Sequence, residues 1–149
     1  MDFDILRELY QDIILDNAKQ PKNNYLLEKA DRKIELANTS CGDLIQLRIK
    51  LKKDRIEEIA FTGHGCTISQ ASASIMTDLL KDMDIKSALD SIKDFSDLLI
   101  GRKINKDKEE KLGDAFVLAS VKTFPTRIKC AALAWHAAEN ILKAERCEK

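Results

Sequence analysis

The chain has 149 residues, 44% of them hydrophobic, which suits one domain with a core of its own and is short for two. Lys+Arg and Asp+Glu balance at 25 each and aromatics make up 5%, so neither a strong field nor a stacking platform is offered to nucleic acid or to an anionic membrane. No apolar stretch approaches the ~18 residues needed to span a bilayer, and Met1-Asp2-Phe3-Asp4 is acidic where a signal peptide is basic; a cytoplasmic protein is expected. In those reducing surroundings four cysteines read as metal ligands, a catalytic thiol or packing rather than as disulfides.

Residues 3–19 carry Phe3, Ile5, Leu6, Leu9, Tyr10, Ile13, Ile14 and Leu15 as a helical stripe opposed by Arg7, Glu8, Gln11 and Asp12, and Pro21 stops this helix. From Lys33 the pattern becomes extended, until Asn38-Thr39-Ser40 breaks the strand just ahead of Cys41. Ile45, Leu47, Ile49 and Leu51 then alternate with Gln46, Arg48, Lys50 and Lys52, the signature of a half-buried antiparallel strand. Lys53-Asp54 is a polar turn, and Ile56 to Phe61 returns as a third strand that ends at Gly63-His64-Gly65.

After Cys66 the period becomes helical, with Ile68, Ala71, Ile75, Met76, Leu79 and Leu80 on one face and the small run Ala71-Ser72-Ala73-Ser74 suited to close packing. Residues 84–99 predict a further helix, Gly101 to Lys111 a highly charged segment with an exposed turn, and Leu112 to Val121 a short helix. Thr123-Phe124-Pro125-Thr126 supplies a break and a capping residue before a last helix over 127–146 that turns Ile128, Ala131, Ala132, Trp135, Ala138 and Leu142 inward. This order predicts a single α+β domain over 1–149, a three-stranded antiparallel sheet with helices packed on one face.

Residues i and i+2 of an extended chain point to the same side, so Cys41 and Asp43 project together. Asp43 also shares the parity of Ile45, Leu47 and Ile49; if the strand reaches back to it, the carboxylate faces the covered side of the sheet and needs a partner, such as a metal. Cys66 and Cys130 are each placed at a helix start, where backbone amides favour thiolate over thiol, and thiolates bind zinc. Any one of these cysteines alone reads equally as core filler; three at element junctions favour one shared site made by Cys41, Asp43, Cys66 and Cys130. His64, two residues before Cys66, is a minor further candidate. Cys147 lies roughly 25 Å beyond Cys130 along one helix and His136 about 240° around it, so neither is placed in the site. Three thiolates and a carboxylate around Zn2+ leave two surplus negative charges, which Arg127 and Lys129 beside Cys130 can offset, although both also read as ordinary helix surface.

At these residues the chain resembles the U-type iron-sulfur assembly proteins, and within them the SufU branch. The likeness covers Leu9-Tyr10-Gln11-Asp12-Ile13-Ile14-Leu15-Asp16 with Pro21 and Asn23, Cys41-Gly42-Asp43, Gly65-Cys66-Thr67-Ile68-Ser69 with Ala71-Ser72-Ala73-Ser74, and Pro125-Thr126-Arg127-Ile128-Lys129-Cys130-Ala131-Ala132-Leu133-Ala134-Trp135. IscU and the N-terminal domain of NifU place a histidine directly before the third cysteine, where this chain has Lys129, and have a shorter segment between the second and third cysteines. Asn17 departs from the SufU pattern, where a histidine is common, and touches no ligand position. The resemblance implies a zinc site of Cys41, Asp43, Cys66 and Cys130, and a SufS-type cysteine desulfurase as partner. It also implies a sulfurtransferase that takes persulfide sulfur and passes it to downstream iron-sulfur assembly proteins. On that expectation Cys41 is the acceptor, freed from the metal when the desulfurase docks, with Asp43 holding the metal and helping release, and Arg127 pairing with Asp43 or with the freed Cys41. The alternatives are an IscU-like scaffold that assembles an iron-sulfur cluster on the same cysteines, and a zinc-stabilised binding domain without transfer chemistry.

Overall fold

The period-two alternation of residues 43–52 sets the architecture. In the computed structural model, which describes residues 3–147 and the side chains of 7–145, this run is the central strand β2, Asp43–Lys52, with Asp43, Ile45, Leu47 and Ile49 buried and the residues between them half-exposed. Strands β1, Arg32–Asn38, and β3, Arg55–His64, flank it in the order β1-β2-β3, both antiparallel to it. The register sets Asn38 opposite Asp43, and Ile45 and Leu47 opposite Gly63 and Phe61.

Helix α1, Phe3–Lys19, precedes the sheet; α2 (Thr67–Leu80), α3 (Ile85–Leu99), α4 (Lys106–Leu112), a 3₁₀ helix (Gly113–Thr123) and α5 (Pro125–Cys147) follow it. Helix α5 lies against β1 and β2, and α2 against β3 and α5. The small residues Ala71, Ser72, Ala73 and Ser74 are all buried, which is why α2 can approach its neighbours closely. Trp135 is the largest side chain in the core: it stacks on Phe95 at 3.8 Å and donates its indole N–H to Ser72 Oγ at 2.8 Å. Ser72 Oγ in turn donates to the carbonyl of Ala131 at 2.5 Å, so α2 and α5 are tied by an apolar contact whose polar atoms are satisfied.

The expected fold class is the one found, and four local expectations change. The charged stretch before Leu112 contains α4, because Asn105 caps it, accepting from Lys108 N at 2.9 Å, and Asp107, Glu109 and Lys111 complement the helix dipole. Only Leu112 of α4 is buried, so hydrophobic periodicity could not reveal it. The next segment is 3₁₀ rather than α. Helix α5 begins at Pro125 instead of 127, since proline lacks only an amide that the first turn leaves unused. In α1, Leu9 and Leu15 are 51% and 44% exposed while Ile14 and Asn17 are buried; Phe3, Ile5 and Leu6 fall outside the described side chains. Asn17 accepts from Ser74 Oγ (2.7 Å) and donates to the Ile13 carbonyl (2.8 Å), a structural tie between α1 and α2. Among the described residues no helix is long and apolar enough to cross a membrane.

Candidate metal centre

Three chain junctions meet at the end of β2. Cys41 lies on the turn between β1 and β2, half-buried, held by long backbone bonds from Cys41 N to the Asn38 carbonyl (3.3 Å) and from Gly42 N to the Thr39 carbonyl (3.4 Å). Gly42 has φ +68°, a left-handed conformation that glycine adopts without strain, and it turns the chain into β2. Asp43 follows as the first residue of β2 and is 2% exposed, on the covered face that its parity predicts. Its Oδ1 accepts from Cys66 N at 2.8 Å, and its Oδ2 stands 3.9 Å from Cys66 Sγ. Cys66 is the N-cap of α2, its sulfur accepting from Ser69 N at 3.4 Å. Cys130 reaches the same point from α5, 1% exposed.

The ligand atoms of Cys41, Asp43 and Cys130 lie within 4.8 Å of one another, and Cys66 joins through Asp43. Asn38 bridges the group: its amide nitrogen is 3.4 Å from Asp43 Oδ2 and 3.6 Å from Cys130 Sγ. In the sequence Asn38 reads only as a strand breaker; the hairpin register, which sets it directly opposite Asp43, brings it to the site. Because α5 starts at Pro125, Cys130 sits in the second turn, within the backbone ladder rather than beside free amides. Its thiol is accordingly not eased towards thiolate: burial first, then the neighbouring Cys41, Asp43 and Cys66, push its pKa far above the ordinary thiol range.

These donors fit a metal ion. A carboxylate at 2% exposure has only amide and thiol partners here, with no Lys, Arg or His paired to it among the described residues, and three thiols crowd around it. A buried acidic group is stable when a positive charge balances it. The ligand atoms of a tetrahedral zinc site stand roughly 3.5–3.8 Å apart, close to the 3.9 Å between Cys66 Sγ and Asp43 Oδ2. Thiolate-rich donor sets of this kind take Zn2+ or iron.

Residues 9–131 match the NifU-like N-terminal domain family. The chain belongs to that family. Its similarity to the zinc-dependent sulfurtransferase SufU of Bacillus subtilis is 43% identity over 134 residues, covering 90% of this chain and 89% of the relative. To the iron-sulfur cluster assembly scaffold protein IscU of Streptococcus pyogenes it is 41% over 138 residues, covering 93% and 85%. The fold superposes with TM-score 0.84 and 32% identity on a SUF-system scaffold candidate from Fervidobacterium islandicum, covering 91% of this chain and 98% of that one. Two relatives of nearly equal identity thus carry different functional names.

The other expected site residues of this NifU-like domain lie outside the cluster. Arg127 is exposed, its guanidinium 5.1 Å from the centre of the Phe124 ring, with no hydrogen bond or ion pair to Asp43 or Cys41 among the described residues. Lys129 and His64 are exposed as well; of the two residues not expected in the site, His136 is exposed and the Cys147 side chain lies outside the described ones.

Two outcomes follow from this geometry. A Cβ on Gly65 would run into Asp43 Oδ1 and its Cα, so Gly65→Ala is expected to displace the carboxylate from the Cys66 amide and lower zinc affinity by tenfold or more, on the order of one lost charged hydrogen bond, in a chelator competition. In metal-free protein the raised Cys130 pKa means the folded state prefers the neutral thiol. That stability is fully present below the unfolded thiol's pKa and is lost as pH rises above about 8.5, because only the unfolded thiol ionises freely. With zinc bound the dependence should reverse near neutrality, since binding requires the thiols to lose protons; thermal melts against pH with and without zinc check both signs.

Proposed function

We propose that this domain is a zinc-dependent sulfurtransferase that accepts persulfide sulfur on Cys41 from a SufS-type cysteine desulfurase and relays it for iron-sulfur cluster assembly. The observation that carries this proposal is the difference among the three thiols. Cys130 is buried within a helix and Cys66 is engaged as a helix cap, whereas Cys41 rides on a short turn between two strands. Moving that turn disturbs two long backbone hydrogen bonds and the contact of Cys41 with Asp43 and Cys130.

Cys41, Asp43, Cys66 and Cys130 would hold the zinc, whose positive charge keeps these thiols ionised at neutral pH. In the transfer step the Cys41 thiolate attacks the outer sulfur of the desulfurase's cysteine persulfide. The sulfur–sulfur bond of that persulfide breaks, the desulfurase cysteine leaves as a thiolate, and Cys41 carries the persulfide. At rest Asp43 is anchored by the Cys66 amide and Asn38 lies against Asp43 and Cys130, so Cys41 moves out on its turn without taking either of them along. Arg127, exposed in the first turn of α5, the helix that carries Cys130, supplies a cation for the departing sulfur anion.

The test is anaerobic mixing with a SufS-type desulfurase and cysteine, followed by alkylation and peptide mass spectrometry. Persulfide on Cys41 supports the assignment; persulfide confined to Cys66 or Cys130 rejects it. The IscU-like scaffold is the second candidate, on the strength of the S. pyogenes relative's name. Lys129 beside Cys130 counts against it, because a protonated lysine is no ligand.

A further inference from the structure

Ser69 has a buried hydroxyl, 1% exposed, with no hydrogen-bond partner among the described residues. A hydroxyl in that condition is costly unless another arrangement uses it. Its position says which. Cys66 is the N-cap of α2 and Ser69 the third helical residue, and half of a capping box is already made, with Ser69 N donating to Cys66 Sγ at 3.4 Å. In the complete motif the side chain of that third residue, ordinarily Glu or Gln and here the shorter Ser69, reaches back and accepts from the N-cap amide. Here the N-cap amide is taken: Cys66 N donates to Asp43 Oδ1 at 2.8 Å.

We infer that Ser69 is a positioning residue that receives the Cys66 amide when Asp43 leaves it. Two arrangements then share one donor. In the first, seen here, Asp43 holds the amide and Ser69 Oγ is idle. In the second, Ser69 Oγ accepts from Cys66 N, the capping box closes, and the Asp43 carboxylate is free to move without leaving a buried amide unpaired. No bond beyond hydrogen bonds is made or broken, and the helix cap persists throughout. The inference deepens the proposed zinc and sulfur chemistry by giving Asp43 a release path, and it is testable apart from that chemistry.

The metal-independent test is amide hydrogen exchange at Cys66 by NMR, in the full chain kept metal-free with chelator. Wild type, Ser69→Ala and Asp43→Ala should each protect this amide, since one acceptor remains in every case. The double variant Asp43→Ala/Ser69→Ala should lose protection by tenfold or more, the order expected for one buried hydrogen bond. If Asp43→Ala alone loses the protection, or the double variant keeps it, the inference is overturned. Should Asp43→Ala fail to fold, the rate of zinc transfer from the loaded protein to a chelator takes its place. There Ser69→Ala should slow release about tenfold and Ser69→Thr should restore it. Release from Ser69→Ala at the wild-type rate overturns the inference. Ser69→Ala should leave the melting temperature of metal-free protein unchanged or raised, because an idle buried hydroxyl is removed; a merely structural serine would lower it. Protein that binds no zinc would refute the proposed function while leaving the exchange result to stand or fall alone.

Discussion

Replacing Cys41 by serine is expected to lower persulfide acceptance from the desulfurase on the order of a thousandfold or more, the scale on which removal of a nucleophile acts. A serine hydroxyl does not ionise near neutral pH and attacks sulfur poorly, so no residual route through this position remains. The fold should survive. Cys41 lies on a turn, half-buried, and its backbone contributes only the two long hydrogen bonds of that turn. The melting temperature of metal-free Cys41→Ser should therefore stay within about 2 °C of wild type, as for substitutions away from core and caps. The corresponding change at Cys130 should behave differently, since that side chain is 1% exposed between α5 and the sheet and its loss disturbs packing. Radiolabelled cysteine followed through both variants separates a lost nucleophile from a lost fold. Transfer retained by Cys41→Ser would remove Cys41 from the chemistry.

Trp135→Ala is expected to cost about 3–5 kcal/mol, the range for truncating a buried tryptophan or phenylalanine. The indole is 1% exposed, stacked on Phe95 at 3.8 Å, and its N–H meets Ser72 Oγ. Truncation leaves a cavity against Phe95 and removes a partner from Ser72, which still donates to the Ala131 carbonyl. For a chain of this size the melting temperature should fall by roughly 10 °C. The loss bears on the site because Ala131 follows Cys130, and the Trp135–Ser72–Ala131 link fixes α5 against α2, the two helices that bring Cys130 and Cys66 together. Zinc affinity should weaken in parallel with stability, and added zinc should recover part of the loss by mass action.

How much of this was legible in the sequence differs from residue to residue. The burial of Asp43 followed from parity alone, because alternation along a strand is a geometric necessity once one face is covered. Cys66 at a helix start was legible from the switch of period after Gly65. Pro125 reads as a breaker unless it is recognised as a first-turn residue, which sets the expected start of α5 too late and Cys130 near free amides it does not meet. Helix α4 was hidden because capping and dipole complementarity, rather than an apolar face, hold it. Asn38 and Ser69 were beyond reach for a different reason. Asn38 reaches Cys130, 92 positions away, and Ser69 shares a cap with Cys66, whose amide is held by Asp43, 23 positions away, so only the assembled hairpin and helix start show what either does. Arg127 follows Phe124 in the sequence by three residues, and its guanidinium lies over that ring, a contact that charge compensation beside Cys130 does not reveal.

The central claim is that Cys41, Asp43, Cys66 and Cys130 together hold a zinc ion. The most direct measurement is metal analysis of anaerobically purified protein, with X-ray absorption at the edge of whatever metal is found. Near-stoichiometric zinc with a first shell of sulfur and one light atom, changed in the Asp43→Ala variant, is the expected result. Bound iron with acid-labile sulfide, and no zinc, would contradict it.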